Sequence, residues 1–322
     1  MRNTLRPLNV LRVLGAIPAP VPPVTVMPLR LTNVGSSNVQ ISFTKSADEV
    51  DLKYRVVGTT NWLNFPYAYY EMGEGVAIEL RGNNATRSGS LGNFSIAGGN
   101  VEASGSIMSL IYGSELNEDN NTDLASVTFN GLFQGCDKLI TPPELPALRV
   151  PDSAYLGMFN GCTGLTIAPE LPATNVGQYA YENMFVGCVS LTSAPALNAT
   201  ALGNGAYAAM FDGCTGITRI PDLPRASLPQ AVYRNMFRGC GISEPVVLRC
   251  TSINRYSIAL MFANCAQIAE IEVHFTSWGD STAAYNWLLN APATGTFRCP
   301  AALDTSIRDA SHIPAGWTIE TF

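Results

Sequence analysis

From residue 126 onward the hydrophobic positions of this chain return in columns, not in one continuous amphipathic period. Phe133, Phe159, Phe185, Phe211, Phe237 and Phe262 are spaced by 26, 26, 26, 26 and 25 residues, and each is followed two or three positions on by a Gly or Asn and a Cys. A unit that short cannot bury its apolar face alone, so it must stack on its neighbours as a solenoid. In the unit 152–178, Asp152 and Ser153 read as the cap of a short helix whose Tyr155, Met158 and Phe159 fall three and four apart on one inward face. Gly135, Gly161, Gly187, Gly213 and Gly239, with Asn264 in the sixth copy, form a column where a left-handed residue closes that helix. Leu165-Thr166-Ile167 then reads as a strand, ended by the column Pro143, Pro169, Pro195 and Pro221, and Leu145, Leu171, Leu197, Leu223 and Leu248 give a second inward column. Strands of successive units are predicted to pair in parallel about 4.8 Å apart. The expected result is a leucine-rich-repeat-like slab with one sheet face and one helical face. Trp287-Leu288-Leu289-Asn290, with Ala291 where a Cys is due, is a worn seventh copy, as befits a terminal repeat.

Before the repeats the pattern is different. Val39–Phe43, Leu52–Val56, Val76–Leu80, Phe94–Ile96 and Ile107–Leu110 are short alternating runs divided by Gly, Asn and Ser, which predicts an antiparallel β-sandwich of immunoglobulin-like type. The expected organisation is a Pro-rich arm over 1–28, a β-sandwich over 29–112, a polar linker over 113–125, the solenoid over 126–294 and a C-terminal cap over 295–322. The predicted class is α+β. Residues 1–28 carry Arg2, Arg6 and Arg12 and then Ala19-Pro20-Val21-Pro22-Pro23, but the longest clean apolar stretch, Val13–Ile17, is too short for a secretion signal. The arm is therefore read as an extended segment that docks on a partner surface, since fixed proline φ angles lower the ordering cost.

Charge narrows the function classes. Only 14% of residues are charged, the formal net charge is -6, and the only lysines are Lys45, Lys53 and Lys138, so no basic stripe supports a nucleic-acid partner. No run of apolar residues is long enough to span a membrane. Of eight cysteines, Cys136, Cys162, Cys188, Cys214, Cys240 and Cys265 share one repeat column, which a ladder of small buried thiols accounts for; disulfides between neighbours or a metal role are the alternatives.

Candidate sites are few. Trp62, Phe65, Tyr67, Tyr69 and Tyr70 crowd one loop or edge of the first unit, where rings could stack on sugars or anchor a protein, although core and edge filling of a small β unit is the better account of them. The residues just before each Gly-Cys, Gln134, Asn160, Val186, Asp212, Arg238 and Ala263, vary on a fixed framework, which suits either recognition or simple exposure. Glu115, Glu118, Asp119 and Asp123 offer calcium-type oxygens without an EF-hand spacing. Glu144, Glu170 and Asp222 recur at one position, broken by Ala196, and read as exposed corners. His274 and His312 sit in no nucleophile or metal pattern, and no HExxH, GxSxG or phosphate-loop signature occurs. The expectation is a protein without catalysis or cofactor.

The stretch Met-Phe-x-Gly-Cys-x-x-Leu-Thr-x-Ala-Pro-x-Leu-Pro-Ala-Thr at Met158 to Thr174, repeated at Met184 to Thr200 with Asn198 for the second proline, resembles the BspA-like leucine-rich repeats of gut Bacteroidetes and their phages. Leu52-Lys53-Tyr54 with Trp62, Leu80-Arg81-Gly82-Asn83-Asn84 and Ala103–Leu110 are similar to the segment preceding such repeats. The resemblance implies a binding or adhesion protein that contacts host proteins or glycans. The expected setting is a virion surface, with residues 1–28 pinned to capsid or tail proteins, the sandwich as spacer or homo-oligomer contact, and the solenoid presented outward. An exported bacterial cell-surface adhesin is the alternative.

Overall fold

A computed structural model describes residues 26–122, 124, 127–223 and 227–322. The expected arm thus lies outside the described residues except for its last three positions. The first unit consists of two sheets. One is six-stranded, with the order Leu139–Thr141, Val101–Ser104, Leu29–Asn33, Ala77–Arg81, Lys53–Val56 and Leu63–Asn64; the other holds Tyr70–Met72, Val39–Lys45 and Gly92–Gly98. Alternation decides which side is buried: Leu29, Leu31, Ile78 and Leu80 turn inward while Arg30 and Arg81 do not. Rings from the two sheets meet, Tyr54 with Tyr70 at 4.6 Å and Phe65 with Phe94 at 6.5 Å between centroids.

The repeats stack as a solenoid of about seven turns at ~26-residue spacing. Parallel pairing follows the repeat, with Val150 beside Val176 and Val176 beside Leu202, one 26-residue unit apart each time. The helical face is corrected. The only α-helix among the described residues is Ser109–Tyr112, and the expected α+β class gives way to a structure made mostly of strands and turns.

The reason lies in the backbone of the supposed helix. Ser153, Gly157 and Gly161 all take positive φ, at 55°, 59° and 76°. A left-handed residue at every fourth position prevents a right-handed helix from propagating. What forms instead is a flat succession of turns with a divided hydrogen-bond pattern. The amides of Ser153, Tyr155, Gly157, Phe159 and Gly161 donate to carbonyls of the next rung, at Gln178, Ala180, Glu182, Met184 and Val186, over 2.8–2.9 Å. The amides between them, of Ala154, Leu156, Met158, Asn160 and Cys162, donate three residues back within the rung. Every amide from Ser153 to Cys162 is satisfied, half of them across rungs. The Gly column does adopt the left-handed conformation expected of it, and Asn264 joins it at φ 63°, but as part of this wall and not as a helix cap.

Inside, the rungs align like with like. Phe133, Phe159, Phe185, Phe211 and Phe237 stack at centroid separations of 5.4–5.7 Å with their planes within 9° of parallel, and Phe262 continues the series at 5.9 Å. Tyr155, Tyr181, Tyr207 and Tyr233 form a second stack. Trp287 closes the phenylalanine series with a tilted contact to Phe262 at 6.3 Å. At the other end Phe94 of the first unit stacks on Phe133 at 5.3 Å, and its amide donates to the Leu132 carbonyl. The six-stranded sheet also takes in Leu139–Thr141 of the first repeat. The solenoid core thus continues into the first unit through Phe94 and Val101–Ser104.

The second wall has two forms. Val246–Leu248, Glu270–Val273, Thr296–Cys299 and Thr318–Thr321 make a four-stranded parallel sheet. Earlier, Leu139–Thr141 pairs with the first unit but the strand expected at Leu165–Ile167 does not form, and among the described residues the rungs are laddered there by the two-residue pairs Arg149–Val150, Asn175–Val176 and Ala201–Leu202. Prolines explain the difference, because Pro143, Pro169, Pro195 and Pro221 offer no amide to a ladder.

Candidate functional site

The cysteine column is chemically quiet. All eight cysteines are free and buried. In the repeat column the thiols donate to the carbonyl of the preceding rung's phenylalanine, Cys162 to Phe133 at 3.0 Å and Cys214 to Phe185 at 2.9 Å, with Cys188, Cys240 and Cys265 alike, while Cys136 donates to Phe94 of the first unit at 3.3 Å. Burial pushes the Cys136, Cys188 and Cys265 thiols up to about 12 and raises those of Cys162, Cys214 and Cys240 too. A nucleophile or redox centre needs an accessible thiolate, and these positions disfavour it.

On the turn wall the variable column points outward in part. Gln134 and Arg238 are exposed, Asn160, Val186 and Asp212 half-buried, and Ala263 fully buried. Arg238 grips Asp212 of the preceding rung, with Nε at 3.0 Å from both carboxylate oxygens and Nη2 at 2.5 Å from Oδ2. That hydrogen bonding raises the Arg238 pKa, burial acting against it. Two of the expected contact residues thus hold each other.

The aromatic cluster divides. Phe65 belongs to the core, and Tyr70 packs on Tyr54. Tyr67 is 100% exposed and Tyr69 about half so, at 47%. Trp62 lies against two guanidiniums, with Arg81 at 4.1 Å and Arg55 at 4.7 Å from the ring centre. Below them the buried Glu79 carboxylate takes hydrogen bonds of 2.7 Å from both Arg30 and Arg55. Burial pushes the Glu79 carboxyl up, but the hydrogen bonds and charges of the two arginines prevail and hold it below its ordinary value. Sequence reasoning missed this network; its signal was Arg30, Arg55 and Glu79 standing at outward positions of three alternating runs.

The acidic loop is built by amides. Asn117 Oδ1 accepts from the Asp119 and Asn120 amides, and Asn120 Nδ2 donates to the Glu115 carbonyl. Among the described residues no group of three or more His, Cys, Asp or Glu could hold a metal, and Asp123 lies outside them. His274 meets Glu272 at 2.9 Å and His312 meets Asp309 at 2.8 Å, far apart in the chain.

A groove runs along the proline wall. Its first section, about 500 Å³, lies between Pro142, Pro143 and Pro146 of one rung and Ile167, Pro169 and Pro172 of the next. A second section of about 370 Å³ shares Pro169, Glu170 and Pro172 and extends to Pro195, and a third of about 320 Å³ shares Ala196 and reaches Pro221 and Asp222. Leu148 and Ile167 on its rim are 50% and 52% exposed. Glu144, Glu170 and Asp222, read from the sequence as corners, line it. The sequence signal was available in Leu148 and Ile167, apolar residues that belong to neither inward column.

No protein-family model, curated protein or solved structure matches this chain. Among the described residues no helix is long and apolar enough to cross a membrane.

Proposed function

We propose that this chain is a non-catalytic binding protein of a phage virion surface, with its first unit an immunoglobulin-like sandwich and its repeats a BspA-like array that contacts host-surface or gut glycans and proteins. The observation that carries the virion setting is the set of eight unpaired cysteines, six of them on neighbouring rungs. Chains exported to an oxidising compartment tend to pair their thiols, whereas phage assembly takes place in a reducing cytoplasm. Stacked rungs that place the thiols in the core and apolar and acidic side chains on an outer wall support presentation of area over turnover. In this reading residues 1–28 join capsid or tail proteins.

Mass spectrometry of purified virions from a gut Bacteroidetes phage tests the setting. Alkylation under denaturing conditions, before any reductant, is expected to label all eight cysteines. Recovery of the chain from bacterial outer membranes, with cysteines that label only after reduction, would instead establish the exported adhesin.

A further inference from the structure

The groove on the proline wall has a one-sided chemistry. Pro142, Pro143, Pro146, Pro169 and Pro172 contribute carbonyls but no amide hydrogens, so acceptors outnumber donors along its first two sections. Glu144 and Glu170 add two exposed carboxylates one rung apart, and neither has an ion-pair partner among the described residues. Further along, by contrast, Asp222 lies 3.7 Å from Arg249. The remaining lining of the first section is aliphatic, Asn198 joins the second and Thr192, Ser193 and Arg219 the third, and no aromatic ring appears in any of the three. A sugar face would find no ring to stack on there.

We infer that this groove binds an extended, arginine-bearing polypeptide segment of a partner protein, with aliphatic side chains seated between Leu148 and Ile167 and guanidiniums on Glu144 and Glu170. An arginine supplies donors in a fixed fork that suits both the carboxylates and the free carbonyls. This rests on the binding-protein reading and narrows it from glycan or protein to a polypeptide at this wall.

The test uses the full chain and a fluorescein-labelled peptide carrying arginines in a leucine, valine and proline background, read by anisotropy. Binding is expected, weakened by added salt and by roughly tenfold in the E144K/E170K double variant. Both positions are exposed, so far-UV circular dichroism should confirm an unchanged fold. L148S/I167S should weaken binding without altering its salt dependence. Equal binding to E144K/E170K, equal binding of a peptide with glutamates in place of the arginines, displacement by a neutral oligosaccharide, or release of a self-associated dimer by the peptide would each overturn the inference. These outcomes leave the virion assignment untouched, which stands or falls on the particle composition.

Discussion

Rungs whose outer wall lies over 139–223 and rungs whose outer wall lies over 246–321 share the inner phenylalanine and cysteine columns as far as Phe262 and Cys265, yet those walls differ in kind. The later rungs close with a four-stranded parallel sheet, the earlier ones with proline corners and a groove. The difference shows that the stack is held by its core and its turn wall, which leaves the opposite wall free to vary. Where proline removes amide hydrogens, the ladder stops and an acceptor-rich channel takes its place.

Removing a shared part should hurt both regions alike. Phe185→Ala in the early rungs and Phe237→Ala in the late rungs should each cost about 3–5 kcal/mol, read from urea midpoints, because both rings are fully buried in the same stack. A large inequality would mean that the wall, and not the core, carries the stability. Changing the wall should separate the regions. Glu272→Pro, in an interior strand of the parallel sheet, should cost about 3 kcal/mol, while Asn198→Pro, which completes the Leu-Pro pattern of the neighbouring rungs, should be neutral or stabilising by roughly 0.5 kcal/mol. Equal losses at the two sites would erase the distinction between them.

The cysteine ladder crosses both regions and predicts a pH dependence. Folded thiols at Cys136, Cys188, Cys250 and Cys265 are pushed from 9.0 up to about 12, so the unfolded chain loses protons first as pH rises. Their contribution is fully present below about pH 9 and is lost as pH climbs toward 12, at up to about 1.4 kcal/mol per pH unit for each thiol. Urea midpoints at pH 7, 9 and 10.5 should fall in that order, and native alkylation should stay slow at pH 7. The smallest effect is expected at Arg238→Gln, whose partly exposed pair with Asp212 should be worth about 1 kcal/mol or less.

The repeat length, the inward columns and the left-handed column were legible in the sequence because each is a local demand repeated at a fixed interval. The helix was not, and the misreading is instructive. Tyr155, Met158 and Phe159 have helical spacing, but Ser153 takes a positive φ at 55° that neither its identity nor the Asp152-Ser153 cap signal announces. Only pairing with the next rung makes that conformation worth adopting. Of the candidate site, Glu144 and Glu170 were visible as a recurring pair, but the groove between them depends on which prolines stack, a contact between units. Arg238 and Asp212 looked like independent surface positions for the same reason: their partnership exists only once the rungs are superposed.

The divided hydrogen bonding of the turn wall has one more implication. Because alternate amides of a rung bond to the one after it, each copy presents its successor with the same docking template that it received. Total length is then a free parameter of the architecture. Duplicating one unit among the proline-bearing copies would extend the channel by a single step and leave both termini of the stack unaltered.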